Sequence, residues 1–258
     1  MDHYIRDTVL WLQMHASSEL LTIITFAVCS VAILSLLRFY GVLGLYVYNA
    51  LALVVANIQV LRLTTYQNFA EPVALGTVLF TTTFFVNDLL SEHYGPAVAK
   101  KCVNIGFWVQ LLMVIWMVLT LGYPIVASAD IHAVDSINEA MMHLFTPSLR
   151  IFVASIIAYW CSQWLDVFIF AKLRVITGGR LLWLRQNASM LVAGFVDTFI
   201  FSALAWRWFS ETPYTWLELF ATFIISAQVI RIFINLAATP LMYFSYRCIH
   251  HETIQQPV

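Results

Sequence analysis

Charge is scarce in this chain. Lys, Arg, Asp and Glu together make up 10% of its 258 residues, whereas a soluble domain has about 25%. The formal net charge is −1, so bulk electrostatics points to no nucleic-acid or acidic partner. Its four cysteines, Cys29, Cys102, Cys161 and Cys248, are isolated and show no C-x-x-C spacing. That argues against both a zinc site and a disulfide scaffold. Cys29 and Cys161 sit in apolar runs and read as small buried hydrophobes. No G-x-x-x-x-G-K-[ST] phosphate loop, H-E-x-x-H or G-x-S-x-G occurs. His93, His132, His143, His250 and His251 are dispersed near loops and ends. No nucleophile–base pair can be named, so the chain reads as a non-enzyme that calls for no cofactor. The first residues mix Asp2, Arg6 and Asp7, unlike a cleaved signal peptide.

Hydrophobic sequence fills the space that charge leaves: 61% of residues are apolar. A spanning helix needs about 20 of them in a row. The spans read as 19–37, 42–62, 73–91, 103–126, 149–171, 188–209 and 215–245. The predicted fold is therefore all-α, a single polytopic transmembrane helix bundle of six to seven spans, with no room for a soluble nucleotide-binding domain. Breakers mark the ends. Gly95-Pro96 follows the third span, Thr146-Pro147 opens the fifth, and Gly178-Gly179 separates the fifth from the sixth. Pro240 is expected to kink or break the seventh. The segment IHAVDSINEAMMHLF has mixed periodicity and suits a short interfacial helix. Arg38, Lys100, Lys101, Lys172, Arg174, Arg180, Arg185 and Arg247 fall on one side of seven spans. Arg6, Arg62, Arg150 and Arg207 fall on the other. The positive-inside bias then puts the C-terminus in the cytoplasm and the N-terminus outside.

Three carboxylates interrupt the apolar runs: Asp88 in TVLFTTTFFVNDLLSEHYG, Asp166 in WCSQWLDVFIF and Asp197 in MLVAGFVDTFIFSALAW. Each costs about 2.5–3.5 kcal/mol at a helix centre on insertion scales, so such groups usually face the bundle interior and mark a pathway or site. Asp88 and Glu92 share one helix face. They are either an acidic helix end paired with Lys100 and Lys101, or a gating or coupling pair. Thr81, Thr82 and Thr83 precede them and either back-bond to the helix or line a polar path. Asp197, near the middle of the sixth span, has a natural partner in Arg231 of the seventh. That pair either fixes helix register or presents Asp197 to a ligand. Asp166, with Gln163 one turn earlier, either pairs with Lys172 or Arg174 or faces a ligand. Asn57 ends the second span, while Arg185 and Asn187 open the sixth. Arg185 reads as a positive-inside anchor or a gating group. Trp160, Trp164 and Trp183 lie nearest the polar groups, where they could stack on a planar ligand. The recurrence of LDVFIF (165–170) as VDTFIF (196–201) would suit an inverted repeat, but six apolar residues do not establish one.

Several of these stretches together resemble the queuosine-precursor transporter family, also called the vitamin-uptake-transporter family. They are FFVNDLLSEHYGPAVAKK (84–101), TPSLRIFVASIIAYWCSQWLDVFIFAKLR (146–174) and LLWLRQNASMLVAGFVDTFIFSALAW (181–206), extended by ANIQVLRLT (56–64) and QVIRIFINLAATPLMY (228–243). Family members often carry Lys where Arg231 stands, often have Thr-Asp in place of Asn87-Asp88, and many have six spans. The span 19–37 precedes the matched part.

The resemblance implies a multi-pass protein of the bacterial inner membrane that imports a 7-deazaguanine such as preQ0, preQ1 or queuine. Its partners would be the lipid bilayer and a purine-like small molecule, with no nucleic acid bound directly and a homo-oligomer compatible. A guanine-like edge presents N1–H and an exocyclic NH2 to a carboxylate, and its O6 needs a donor. Asp197, Asp166, Gln163, Asn57, Asn187 and Trp164 are the substrate-binding candidates. Asp88, Glu92, Arg231 and Arg185 are the gating or coupling candidates. The alternative is a substrate-binding subunit of an energy-coupling-factor vitamin transporter, with Ala52 and Ala56 as a small-residue docking step.

Overall fold

The computed structural model describes residues 2–67, 73–124, 132–145, 148–210 and 212–249. Helix α1 (Asp2–His15), for which the sequence predicts no element, carries mostly exposed side chains. Helix α2 (Ser18–Gln59) starts at Ser17, whose hydroxyl accepts the Leu20 N–H at 3.2 Å. Its 42 residues would measure about 63 Å if straight, roughly twice the hydrocarbon core. It does not run straight. Gly41 takes φ +57° and ψ −130°, a backbone state open essentially to glycine. Beyond it, Gly44 lies against the carbonyl of Leu36, eight residues earlier. A continuous helix would separate those two by about 12 Å. The chain doubles back here, so α2 is two arms, 18–40 and 42–59, in close agreement with the first two predicted spans.

A two-residue antiparallel pair follows, β1 (Leu63–Thr64) with β2 (Val73–Ala74), Leu63 facing Ala74. It trims the second and third predicted spans and is a small β addition to an all-α bundle. Helices α3 (Thr77–His93) and α4 (Pro96–Leu121) come next, joined by Gly95 at φ +91° with Pro96 at the first helical position. Helix α5 (His132–Phe145) occupies the segment predicted as a short helix. Thr146-Pro147 and Asp130 lie outside the described residues. Helices α6 (Ser148–Ile176) and α7 (Leu182–Ser202) are separated by the Gly178-Gly179 turn. A π-helical stretch, 203–208, prolongs α7. Helix α8 (Trp216–Glu218) opens on a capping box between Thr215 and Glu218, and a second π stretch, 219–224, joins it to α9 (Ile225–Ser245). Pro240 does not break α9, which continues to Ser245.

Among the described residues, five helical stretches are long and apolar enough to cross a membrane: 18–59, 96–121, 149–176, 182–208 and 225–245. Helix α3 is not one of them. It has 17 residues, 14 of them buried, and packs against α2, α4, α6, α7 and α9. Its polar face of Thr, Asn, Asp and Glu is tolerated because other helices, not lipid, surround it. Helix α7 begins at Leu182, six residues before the predicted start at 188. Hydropathy penalises Arg185, but α3 supplies that arginine with a partner inside the bundle.

Candidate functional site

Chain connectivity gives the bundle two ends. One holds β1, β2, the end of α7 and the start of α9. The other holds the α3–α4 turn, the Gly178-Gly179 turn and the end of α9. A cleft of about 700 Å³, its open mouth included, lies toward the first end. Its aromatic walls are Phe80, Phe201, Trp206 and Phe223. Trp206 and Phe223 come from the two π stretches and stack at 5.3 Å between centroids with 16° between planes. Such local widening of a helix recurs at functional sites. Ser155, Thr198, Ser202 and Ser226 add hydroxyl groups, and Asp197 and Arg231 supply the charge.

Arg231 Nη2 donates to Asp197 Oδ2 at 2.5 Å, and the Ser162 hydroxyl donates to Asp197 Oδ1 at 3.0 Å. A carboxylate has about four lone-pair sites, so two remain for a ligand. The Arg231 guanidinium sits over the Phe84 ring at 5.7 Å, and its Nε and Nη1 have no hydrogen-bond partner among the described residues. It fits because residue 194 is glycine: a Cβ there would stand 3.0 Å from Nη1. The natural partnership expected of Asp197 and Arg231 is thus formed, at the edge of an open cleft.

Deeper along α3, α6 and α7 lies a second polar group. Asn87 Nδ2 donates to Gln163 Oε1 at 2.7 Å, and Gln163 Nε2 donates to Thr83 Oγ1 at 2.6 Å. The Ser189 hydroxyl donates to Asp88 Oδ1 at 3.4 Å. Asp88 and Asp166 are both completely buried. They lie close enough to act on each other as like charges. Neither oxygen of Asp166 has a hydrogen-bond partner among the described residues. Lys172 instead stands over the Phe168 ring, and Arg174 binds backbone carbonyls of α3, so the expected pairing of Asp166 with either does not form.

The third group closes the far end. Arg185 Nη2 donates to Glu92 Oε2 at 2.9 Å, and the Tyr246 hydroxyl donates to Glu92 Oε1 at 2.5 Å. Arg174 donates to the carbonyls of Ser91 and Glu92 at 3.1 and 3.0 Å. His93 Nε2 and Ser245 Oγ are 2.7 Å apart. Four helices meet at Glu92. Arg185 is 0% exposed, with its guanidinium over Phe170, so it is an internal ion-pair partner and not a surface anchor. The predicted pairing of Asp88 and Glu92 with lysines of α4 is also replaced: Lys100 lies over Trp164 at 5.1 Å.

Of the six substrate-binding candidates only Asp197 lines the cleft; Asp166 and Gln163 belong to the deeper group, and Asn57, Asn187 and Trp164 lie elsewhere. Asn57 bonds Gln110 Oε1 at 3.0 Å in the seam between α2 and α4. Asn187 bonds Thr239 Oγ1 at 2.9 Å between α7 and α9. Trp164 lies under Lys100, and Trp160 and Trp183 are about half exposed, at 45% and 50%. Gln163 joins the deeper group and leaves Asp197 to Ser162, its neighbour in sequence. Ser162 is legible in hindsight: it stands four residues before Asp166, on the same face of α6. Trp206 and Phe223 carry no such signal, because their places depend on two π-helical segments that apolar sequence does not announce.

Residues 74–245 match the family described as "Putative vitamin uptake transporter". A "Probable queuosine precursor transporter" of Bacillus subtilis (strain 168) is 34% identical over 214 residues, covering 83% of this chain and 88% of that protein. One of the same description from Haemophilus influenzae (strain ATCC 51907 / DSM 11121 / KW20 / Rd) is 27% identical over 130 residues, half of each chain. No solved structure matches. The apolar helices make this a multi-pass membrane protein, and the two comparisons place it in the queuosine precursor transporter family, also described as the vitamin uptake transporters.

Proposed function

We propose that this protein imports queuosine precursors of the 7-deazaguanine class (preQ0, preQ1 or queuine) across the bacterial inner membrane for tRNA modification. The observation that carries the reading is the pairing of Asp197 and Arg231 beside an aromatic-walled cleft. The free lone pairs of Asp197 accept the ring N1–H and exocyclic NH2 side by side. Arg231, with donors to spare, serves O6. Phe80, Phe201, Trp206 and Phe223 are placed to clamp the ring faces. The α2 arms, α4, α6, α7 and α9 with its leading turns make six crossings and α3, enclosed by them, a seventh pass, and the positive-inside bias puts the cleft mouth outside and Glu92 inside. The cleft then receives substrate from outside while the Glu92 cluster keeps the inner end shut.

The test uses a bacterial strain unable to make queuosine precursors and lacking its own importer. The protein is expressed there and one base is supplied at limiting concentration, with the matching downstream enzymes present. Queuosine in tRNA should return with at least one of preQ0, preQ1 and queuine. No return with any base, despite confirmed membrane insertion, overturns the reading. The alternative of a coupling-factor subunit would need the Ala52–Ala56 face free for a partner. Both alanines are buried, and the Ala56 carbonyl packs against Gly76 of this same chain.

Gly194→Val tests the Arg231 seat without touching either charge. Overpacking of this kind costs about 1–3 kcal/mol, and Arg231 is the neighbour that must give way. Uptake at limiting base should fall roughly tenfold, since about 1.4 kcal/mol is a decade of affinity, while membrane levels of the protein hold.

A further inference from the structure

Asp166 poses a charge problem that the substrate cleft does not answer. It is completely buried, and so is Asp88 beside it. The groups acting on Asp88 are Asp166 from α6, Glu92 from α3, and Arg185 and Ser189 from α7; Ser189 is also within reach of Asp166. The arginine among them is already held by Glu92 at 2.9 Å. Among the described residues, two carboxylates therefore share a low-dielectric space with one serine hydroxyl and no cation of their own. Burying even one unpaired charge is strongly unfavourable, and two like charges at close range are worse.

The unpartnered acceptors of this group are both oxygens of Asp166, Oδ2 of Asp88 and Oδ1 of Asn87, while Arg185, tied to Glu92 through Nη2, keeps Nε and Nη1 without a hydrogen-bond partner among the described residues. Asn87 is itself 0% exposed, and its amide is fixed by the bond to Gln163, which directs its oxygen away from that neighbour. Such a set of oxygens, with a net negative charge, asks for a single positive charge. Its place in the bundle is equally telling. On α6, Ser162 reaches Asp197 and Asp166 follows four residues later on the same face. On α7, Ser189 reaches Asp88, and Asp197 follows eight residues later, about 12 Å along the axis. On α3, Asp88 is followed four residues later by Glu92 of the far-end cluster. The buried carboxylates thus stand between the cleft and the closed end, on the helices that form both.

We propose that Asp88 and Asp166 form the binding site of one monovalent cation, a proton or a sodium ion, taken up with each substrate molecule. The proposal rests on the transport reading above. It assigns Asp166 to ion coupling, one step removed from the substrate. Entry of the cation neutralises one carboxylate and lets α6 and α7 adjust around Asp88, which links occupancy at the centre to the Glu92 closure. A coupling of this kind needs an element with two arrangements that both sites bias. The helices α6 and α7, which carry residues of both sites, are that element.

The experiment has two arms. In the first, the purified protein is treated with a hydrophobic carbodiimide, which modifies protonated buried carboxyls, and the modified residues are identified by mass spectrometry. Labelling of Asp88 or Asp166 that disappears when sodium replaces choline at constant pH identifies a sodium site. Labelling indifferent to sodium but lost as pH is raised identifies a proton site. No labelling of either residue under any of these conditions overturns the proposal. In the second arm, wild type and Asp166→Asn are reconstituted in vesicles with radiolabelled preQ1. The variant should retain substrate counterflow above that of protein-free vesicles and lose accumulation driven by the matching ion gradient. Retained counterflow also shows that the variant is folded. Gradient-driven accumulation by Asp166→Asn equal to wild type overturns the coupling role. A wild type that exchanges none of preQ0, preQ1 or queuine sinks the transport reading, and the carbodiimide arm then still decides whether the cation site exists.

Discussion

Asp197→Asn is expected to abolish uptake of a 7-deazaguanine while the protein remains in the membrane. Among the described residues lining the cleft, Asp197 alone carries a carboxylate, which can accept two donors side by side while also holding Arg231 at 2.5 Å and Ser162 at 3.0 Å. A carboxamide keeps the shape but turns one oxygen into an NH2. That donor opposes the N1–H or exocyclic NH2 of the ring. Each hydrogen bond to a charged group contributes about 1.5–3 kcal/mol, so losing one outright, and the charge behind the other, lowers affinity by at least about tenfold. Loss of the charge also leaves Arg231 buried without its partner, and breaking a buried ion pair costs about 3–5 kcal/mol of stability. The two effects are separable. Asp197→Asn combined with Arg231→Gln removes the orphaned charge and should recover thermal stability without recovering uptake. Arg231→Lys preserves the pair and should keep measurable uptake, since an ammonium at that position still meets the Asp197 carboxylate. Normal queuosine in tRNA in the Asp197→Asn strain at limiting base would remove Asp197 from the site.

What sequence could say about this molecule depended on whether the signal was local. The helices announce themselves by apolar length, and the turn at Gly41 separates the first two spans close to where the pattern does. The pairing of Asp197 with Arg231 was also legible, because two lone opposite charges at similar depth have few other partners. Arg185 shows where such reasoning fails. Placed beside a loop and read alone, it looks like an anchor; it is 0% exposed because Glu92, 93 residues away in sequence, reaches it. Asp166 fails in the same way: basic residues lie nearby on its own helix, but Arg174 turns to the carbonyls of α3. The cleft walls were the least legible part. Tryptophans draw attention by size, yet Phe80, Phe201 and Phe223 take three of the four aromatic positions. Their placement comes from π-helical register shifts and tertiary packing, neither of which has a hydropathy signature.

Arg185→Ala should produce the largest loss of stability of any single change at the far end. Arg185 is wholly buried, bonded to Glu92 at 2.9 Å and stacked over Phe170 at 5.3 Å. Truncation removes the ion partner, opens a cavity against Phe170 and leaves Glu92 to Tyr246 and to Arg174, whose nitrogen is 3.9 Å away on a side chain that is 42% exposed. An uncompensated buried charge of this kind costs about 3–5 kcal/mol, which should appear as a clear drop in the melting temperature of the detergent-solubilised protein. The double variant Glu92→Leu with Arg185→Met replaces the pair by apolar groups. Such replacements are often neutral or stabilising, so its melting temperature should return to that of wild type or exceed it. The two variants then separate stability from mechanism. If the Glu92 cluster is a closure that must form and break in each cycle, the stable double variant will still fail to accumulate substrate, because nothing reversible holds α3, α6, α7 and α9 together at that end. Full accumulation by the double variant would reduce the cluster to a structural ion pair. An Arg185→Ala protein that melts with wild type would show that Glu92 does not depend on it at all.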